Sequence, residues 1–368
     1  MRLGIDGRTL QGRRAGVGRY VYELCKALDA ALPEALFFVY SQSAVTLPVA
    51  SERWISRIDP LGHRVKNVAW LKFRCGALAR HDDLDVFWAP ETLLPRLPKR
   101  ARTVSTVHDL NYKIVPDTMP ATALWAHRLF FGADVRRADS VVAVSQGTSD
   151  RLRHFLGRSA DVIVRPCVDE RFAPASMQAV RECRLKYGIL QPFLLAVATL
   201  EPRKNVAMLL DVFTSMRSTG ELPSDIELVL VGGTGWKDSA VAQRIQAGQA
   251  NGVRALGYVA DDDLPALYTA SEALVLPSKY EGFGIPVLEA RACGTRVLTS
   301  DIPELREAGG ADATHCEPTP EGLRNGLLAV LSRPRPQAAG VRRGWHEAGQ
   351  RFATVLRGGS SAGSRGNL

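Results

Sequence analysis

The sequence predicts an α/β protein made of two parallel-sheet domains, and three observations predict it. Its 368 residues exceed what one α/β core needs, and surface-to-volume scaling splits such a chain into domains of about 150 to 200 residues. Short apolar, β-rich runs alternate with longer helical patterns, as strands laid parallel with helices across the sheet must. The alternation lapses and restarts near residue 190.

The first domain is expected over residues 1–170. A strand over 2–6 leads into an apolar-periodic helix over 17–32, and strands over 36–40, 86–89, 103–108 and 141–145 follow. Residues 162–169, VIVRPCVD, read as a last strand running into a linker over 171–190. Strands over 193–198, 227–231, 255–256, 273–276 and 296–299 then give a second domain over 191–332. Beyond it, Arg333-Pro334-Arg335-Pro336 interrupts the helical pattern. A return helix is expected within 333–357, at about 344–356, and the Gly/Ser-rich residues 358–368 are expected to be disordered.

Composition narrows the class. A hydrophobic fraction of 46% and a charged fraction of 23% are those of an ordinary globular protein. No run approaches the ~20 apolar residues of a membrane span. The opening residues lack the apolar core of a secretory signal, so a cytoplasmic location is expected. The six cysteines form no C-x-x-C pair, which points to reduced thiols and to no metal site. Residues 1–168 hold 25 Lys and Arg against 16 Asp and Glu, and the remainder 22 against 22. The positive excess therefore sits in the first domain and asks for an anionic partner: nucleic acid, an acidic membrane surface or a phosphorylated substrate.

The segment richest in chemistry is residues 278–290, SKYEGFGIPVLEA, directly after the apolar run 273–276. Pro286 suits the first turn of a helix and Gly294 its end, which leaves Glu281 in the loop and Glu289 one turn inside. The N–H groups of Phe283, Gly284 and Ile285 would face a docked ligand and, with the helix dipole, favour a phosphate or diphosphate. A carboxylate outside that anion site suits sugar hydroxyls, and one a turn inside suits ribose. By spacing alone the pair equally fits an exposed Glu281 and a helix-capping Glu289.

Three further turns follow strands. Residues 198–205, ATLEPRKN, carry Arg203 and Lys204, a diphosphate clamp or a solvated basic turn. Gly16-Val17-Gly18 follows the opening strand as a loop near a phosphate would. Val21 stands where a dinucleotide fingerprint has its third glycine, and the acid expected about 20 residues on is missing from 36–40, which disfavours a dehydrogenase. His108 ends a strand at the edge where open α/β sheets bind ligands, and by itself fits a structural role as well.

In its context of strand, G-x-G turn, proline and helix, 278–290 resembles the E-x7-E signature of glycosyltransferase family 4, and the resemblance extends from Met1 to about Leu331. It implies the GT-B architecture, two Rossmann-like domains facing each other across a cleft, with 1–170 binding the acceptor and 191–332 the donor, and transfer with retention from a nucleotide-diphosphate sugar without cofactor or metal. It implies that Glu281 and His108 lie at the transferred sugar, and that Gly18, Arg203, Lys204, Tyr258, Val259, Phe283, Gly284, Ile285 and Glu289 bind the donor, Tyr258 and Val259 beside the nucleobase. Similarity to bacterial mannosyl- and rhamnosyltransferases of surface polysaccharide (O-antigen or lipopolysaccharide) assembly, strongest at 107–110 and 200–205, makes GDP-mannose the first donor expected.

The family often has Gly where this chain has Cys167, and an Arg near Ala198. Those departures keep a non-catalytic relative open, and a sugar-nucleotide epimerase or phosphorylase would share the architecture. No zinc finger, helix-turn-helix or aromatic–basic RNA motif supports nucleic acid as the partner. Residues 64–80, RVKNVAWLKFRCGALAR, read as an amphipathic helix with Val68, Leu71, Cys75 and Leu78 inward and Trp70, Phe73 and Ala77 outward beside Lys66 and Arg80. With Arg96, Lys99, Arg100 and Arg102 nearby in sequence, this suits peripheral contact with an anionic membrane and a lipid-linked saccharide acceptor. An ordinary surface helix with a solvated basic face fits the same pattern.

Overall fold

The computed structural model describes residues 1–12, 16–98, 100–233, 239–338 and 344–359, without the side chains of 239 and 240. The chain divides into two compact units. The first comprises Met1–Tyr112, Ala121–Pro166 and the C-terminal residues from Trp345, and the second Lys113–Pro120 and Cys167–Gly344.

The first unit is a sheet of seven parallel strands: β1 (Arg2–Asp6), β2 (Leu36–Ser41), β3 (Trp54–Ile58), β4 (Val86–Ala89), β5 (Arg102–Val107), β6 (Ser140–Ala143) and β7 (Val162–Ile163), in the order β3-β2-β1-β4-β5-β6-β7. Helices cover a parallel sheet on both faces, so its central strands are apolar throughout. Every residue of β4, Val-Phe-Trp-Ala, is buried. β3 was not foreseen from sequence, because this edge strand buries only one residue, Trp54.

The second unit repeats the design with six parallel strands: β8 (Phe193–Val197), β9 (Glu227–Val231), β10 (Val253–Gly257), β11 (Ala273–Leu276), β12 (Arg296–Ser300) and β13 (Thr314–Cys316), in the order β10-β9-β8-β11-β12-β13. Both sheets share the doubly wound order 3-2-1-4-5-6, whose direction of winding reverses beside the first strand. Leu194, Leu228 and Leu230 pack with Leu209, Phe213 and Leu327 in the core of this unit.

The helices that matter below are α1 (Gly16–Ala31), α2 (Ala121–Arg137), α3 (Met177–Lys186), α4 (Val206–Ser218), α5 (Ile285–Ala292) and α6 (His346–Leu356). Residues 171–190, expected as a linker, belong to the second unit and contain α3. Ser176 caps its first turn by accepting from the Ala179 N–H, and Val180 and Cys183 are buried, so a short amphipathic helix forms where the polar composition suggested none. The expected return helix is α6, which packs on α1 within the first unit. Its Phe352 is fully buried with the ring 4.8 Å from Trp88 of β4. Of the tail expected to be disordered, residues 360–368 lie outside the described residues, as does Lys99.

The basic segment 64–80 departs from its expected wheel. It folds as Asn67–Trp70, a π-turn over Leu71–Cys75, and Gly76–Ala79. The π-turn shifts the phase of the side chains, so Trp70 points inward and donates its Nε1–H to Asp59, 2.8 Å away. Lys72 is buried on Asp134, and Arg74 pairs with Asp59, whose carboxyl that guanidinium holds down at about 2. Only Phe73, 67% exposed, and Ala77 keep the outward position expected for the apolar stripe.

Because α6 closes the core of the first unit with one large ring, Phe352→Ala is expected to cost that unit about 3 to 5 kcal/mol. Urea denaturation followed by tryptophan fluorescence measures it. A loss below 1 kcal/mol would mean that α6 is dispensable.

Candidate active site

In the second unit, the turns after β8, β9, β10 and β11 leave the sheet at its carboxyl edge, where β8 pairs with both β9 and β11 and the winding reverses. This is the edge where open α/β sheets bind ligands. The turn after β8 is Pro202–Lys204, closed by Asn205 in the left-handed region at φ 57° before α4 begins. The turn after β11 carries Ser278 to Gly284 into α5. The Lys279 N–H donates to the Arg203 carbonyl at 2.9 Å and so ties the two turns together.

Four charged side chains interlock across these turns. Arg203 donates Nε–H and Nη2–H to Glu201 Oε1 at 3.0 and 2.6 Å, and Nη1–H to the Tyr280 carbonyl at 3.1 Å and to Glu281 Oε2 at 2.8 Å. Lys204 Nζ donates to Glu281 Oε1 at 2.6 Å, and the buried Ser278 hydroxyl donates to the same oxygen at 2.7 Å. Glu281 is 5% exposed. Burial pushes its carboxyl up, but Lys204 and Arg203 outweigh that and hold it at about 2. Burial, and then Arg203, push the Lys204 amine below its usual range against the pull of Glu281. Arg203 therefore spans Glu201 and Glu281 as a strut, whereas Lys204 Nζ makes one hydrogen bond among the described residues.

Beside this cluster stands the start of α5. Gly284 is its N-cap at φ 106°, and a Cβ there would sit 2.7 Å from Leu305 Cδ2, so only glycine fits. Pro286 lies in the first turn and no side chain caps the helix. Among the described residues, the N–H groups of Phe283, Gly284 and Ile285 donate to no protein acceptor. The turn after β9 presses on the turn after β8: Gly232 has φ 141°, and a Cβ on it would lie 1.9 Å from the Ala198 carbonyl oxygen.

Glu289 lies one turn inside α5, is buried, and accepts a hydrogen bond from the Tyr268 hydroxyl at 2.8 Å. Tyr258 and Val259 follow β10, the first exposed and the second buried. The structure thus gathers Arg203, Lys204, Glu281, Phe283, Gly284, Ile285 and Glu289 around neighbouring turns. Sequence reasoning passed over Ser278, Glu201 and Tyr268. The signals were a hydroxyl three residues before Glu281 and an acid two before Arg203; nothing local pointed to Tyr268.

Gly18 and His108 lie in the first unit. Gly18 is buried in the first turn of α1 and not in a loop, because the helix already begins at Gly16. Two residues on, the Tyr20 ring meets His108 edge-on at 5.1 Å. Burial lowers the His108 pKa to about 4, against Asp109 and a hydrogen bond with the Pro90 backbone, so the imidazole is neutral at physiological pH. Its Nε2 is buried without a partner, which leaves the Pro90 bond to Nδ1 and makes Nε2 a bare lone pair.

Two doubly wound sheets and a charge-and-amide cluster at one carboxyl edge define the chain as a glycosyltransferase of GT-B architecture. Residues 187–351 match the family model "Glycosyl transferases group 1" and residues 14–171 the model "Glycosyltransferase Family 4". The chain is 30% identical to O-antigen chain mannosyltransferase B of Escherichia coli over 80% of its own length and 81% of that protein's. It belongs to glycosyltransferase family 4. It is also 30% identical to the serotype-specific mannosyltransferase WbdA of Escherichia coli over 48% of this chain, spanning 22% of that longer protein. Identity is 27% to a GDP-mannose-dependent alpha-(1-6)-phosphatidylinositol monomannoside mannosyltransferase of Mycolicibacterium smegmatis, over 77% and 79% of the two chains. Among solved structures, WaaG, a glycosyltransferase involved in lipopolysaccharide biosynthesis, has the same fold, with TM-score 0.70 and 16% identity over 99% of this chain and 100% of that one.

The charge cluster sets an acid limit. A carboxyl held below its unfolded value stabilises the fold above that value, about 4.5, and loses the contribution as pH falls toward 2. Glu281→Gln leaves Arg203 and Lys204 short of counter-charge and is expected to cost about 3 to 5 kcal/mol at pH 7. It also flattens the fall of the second unit's stability between pH 4.5 and 2. Thermal unfolding across that range tests both, and an unchanged acid limb in the variant would remove Glu281 as its source.

Proposed function

We propose that the chain transfers mannose from GDP-mannose, with retention at the anomeric carbon, to a lipid-linked saccharide during surface polysaccharide assembly. The observation that carries this reading is the Lys204 ammonium, bonded to Glu281 and poised beside the uncapped start of α5. A diphosphate needs several N–H donors and a positive counter-charge as its bond to the sugar breaks, and fixed donors supply that stabilisation without reorganisation. Lys204 and the amides of Phe283 to Ile285 bind the diphosphate, Arg203 holds Glu281 in place, and Glu281 receives sugar hydroxyls. Glu289, steadied by Tyr268, accepts from the ribose, and the backbone at Tyr258 and Val259 lies by the base.

His108 Nε2 offers a lone pair to a sugar hydroxyl or to the electron-poor anomeric carbon. In the transfer itself the bond from the anomeric carbon to the diphosphate oxygen breaks and one to the acceptor oxygen forms. The acceptor proton passes to the leaving phosphate, so the reaction balances without a metal or a further cofactor. The names of the relatives support mannose as the sugar and guanine as the base. An epimerase built on the same site would need no acceptor, and product analysis separates the two.

The acceptor's lipid places the enzyme on the cytoplasmic face of a membrane. No helix of the described residues is long and apolar enough to cross one. Support for peripheral contact comes from α2, where Trp125 and Leu129, 70% and 69% exposed, lie one turn apart with exposed Arg128 and Arg136 on the same stripe. The one acid of α2, Asp134, is buried on Lys72 and Arg137. An apolar stripe edged by arginines that have no acidic partner among the described residues suits an anionic leaflet.

Isothermal titration with GDP-mannose, UDP-glucose, UDP-N-acetylglucosamine and dTDP-rhamnose tests the donor. GDP-mannose is expected to bind, and Lys204→Ala to weaken it on the order of 10- to 100-fold; no binding by any of the four would defeat the reading. Trp125→Ala/Leu129→Ala is expected to reduce co-sedimentation with phosphatidylglycerol vesicles, and equal sedimentation of variant and wild type would remove α2 as the contact.

A further inference from the structure

His108 can act on a sugar only with its Nε2 lone pair aimed, and an imidazole does not aim itself. The torsion that turns such a ring is broad and roughly two-fold, and a half-turn puts a C–H group where each nitrogen stood. The backbone at His108 is fixed from the turn after β6. The Val144 N–H donates to the Val107 carbonyl at 3.3 Å, and the hydroxyl of Thr148, in the first turn of the helix Gln146–Leu156, donates to the His108 carbonyl at 3.2 Å. The ring itself is held by its hydrogen bond with the Pro90 backbone and by Tyr20, whose ring stands at 89° to the imidazole with the centroids 5.1 Å apart.

Tyr20 is anchored in turn. It belongs to α1 and is 1% exposed. Its hydroxyl donates to the Val164 carbonyl at 3.0 Å, and its ring also meets Trp345, at 5.5 Å and 76°. Val164 lies two residues before Pro166, after which the chain leaves the first unit, and Trp345 is the residue at which it comes back. Within the second unit the Gly344 N–H donates to the Val168 carbonyl at 3.1 Å, with Gly344 left-handed at φ 75°, so the outgoing and returning segments are bonded to each other.

A buried hydroxyl is costly unless it is hydrogen-bonded, and phenylalanine would fill the same space beside His108 without that cost. What the hydroxyl adds is direction, because a ring tied at its far end cannot tilt. Trp345 does not supply it: its Nε1 is buried without a partner among the described residues, and it meets Tyr20 as ring against ring. The imidazole thus leans on a ring that is held at both ends.

We propose that Tyr20 is a positioning residue for His108, keeping Nε2 turned to the reacting sugar from a ring that is itself pinned to the two segments through which the chain leaves and re-enters the first unit. The proposal rests on the glycosyl-transfer reading and adds to it the residue that aims the imidazole. Tyr20 acts through His108 and touches no substrate.

Two variants separate the ring from its anchor: Tyr20→Phe keeps the ring and loses the hydroxyl, and Tyr20→Leu loses both. Nitrogen-15 NMR of the full chain labelled in histidine, with His108 identified by the signals that vanish in His108→Gln, reads the imidazole directly. At pH 7 the wild type is expected as one neutral form with its proton on Nδ1, and Tyr20→Leu as a mixture of the Nδ1–H and Nε2–H forms. GDP release from GDP-mannose, with water as the acceptor, reads the consequence. In Tyr20→Phe kcat is expected to fall about 2- to 10-fold, the range of one hydrogen bond, with KM within about twofold of wild type because the diphosphate donors lie on other residues. In a His108→Gln background Tyr20→Phe is expected to change kcat no further, since it acts through the imidazole. A Tyr20 that merely fills the core would lower the thermal midpoint and leave the histidine form and kcat unchanged. That result, or an equal fall of kcat in the His108→Gln background, overturns the proposal. The two readings fail separately. No turnover of GDP-mannose by the wild type defeats the donor assignment and leaves the NMR to decide the role of Tyr20, and a single Nδ1–H form in Tyr20→Leu defeats that role while turnover keeps the donor assignment.

Discussion

The second unit's site depends on one buried charge cluster, Glu201, Arg203, Lys204 and Glu281, in which two carboxylates balance two cations. Taking four charges out of water is costly, and the arrangement persists only if each is closely paired. Adjacent strands provide that precision. β8 and β11 are hydrogen-bonded neighbours, so the turns that leave them stay in register, and the backbone bond from Lys279 to Arg203 fixes their separation. Because Arg203 is held at both ends, Glu281 cannot drift, and the Lys204 ammonium is left with both a fixed partner and spare donors. Gly232 serves the same constraint by letting the turn after β9 press on the turn after β8, and Gly284 lets the start of α5 pack against Leu305.

The first unit's carboxyl edge is built differently. There Thr9, Gln11, His108 and Asn111 each keep a buried polar atom without a partner among the described residues, and Thr92, at φ 70°, holds the Glu91 side chain out toward solvent. One edge is paired by charge and the other leaves single hydrogen-bonding groups that water can occupy.

Much of this was legible in the sequence, for reasons that differ by element. The central strands are buried on both faces, so continuous apolar runs such as 227–231 and 273–276 mark them without ambiguity. The edge strands β3 and β13 and the helix α3 were missed because each buries only one or two residues: Trp54, Cys316, and Val180 with Cys183. The donor turns were legible because glycine, proline and charge fall at fixed offsets from strands. The partner of Glu289, Tyr268, was not, since it comes from a helix 21 residues away and carries no local signal. Glu91 escaped notice because what marks it is the conformation of Thr92, and no residue type encodes that angle.

The basic excess of residues 1–168 shows where composition misleads. Several of those cations are spent on internal acids: the buried Arg8 and Lys72 are bound to Asp6 and Asp134, and the half-buried Arg57 and Arg74 to the buried Asp82 and Asp59. Each pair cancels in the far field, and each ties one segment of the first unit to another, so these residues do structural service that a charge count reads as affinity for an anion. What remains to act at a distance is the smaller set without acidic partners, and on α2 it coincides with exposed Trp125 and Leu129. The segment 64–80 has more basic residues than α2 but spends two of them on buried acids, and its tryptophan on the core. An anionic surface responds to the charges left over after internal pairing, together with the apolar area beside them, and by that measure α2 outranks the segment that the sequence favoured.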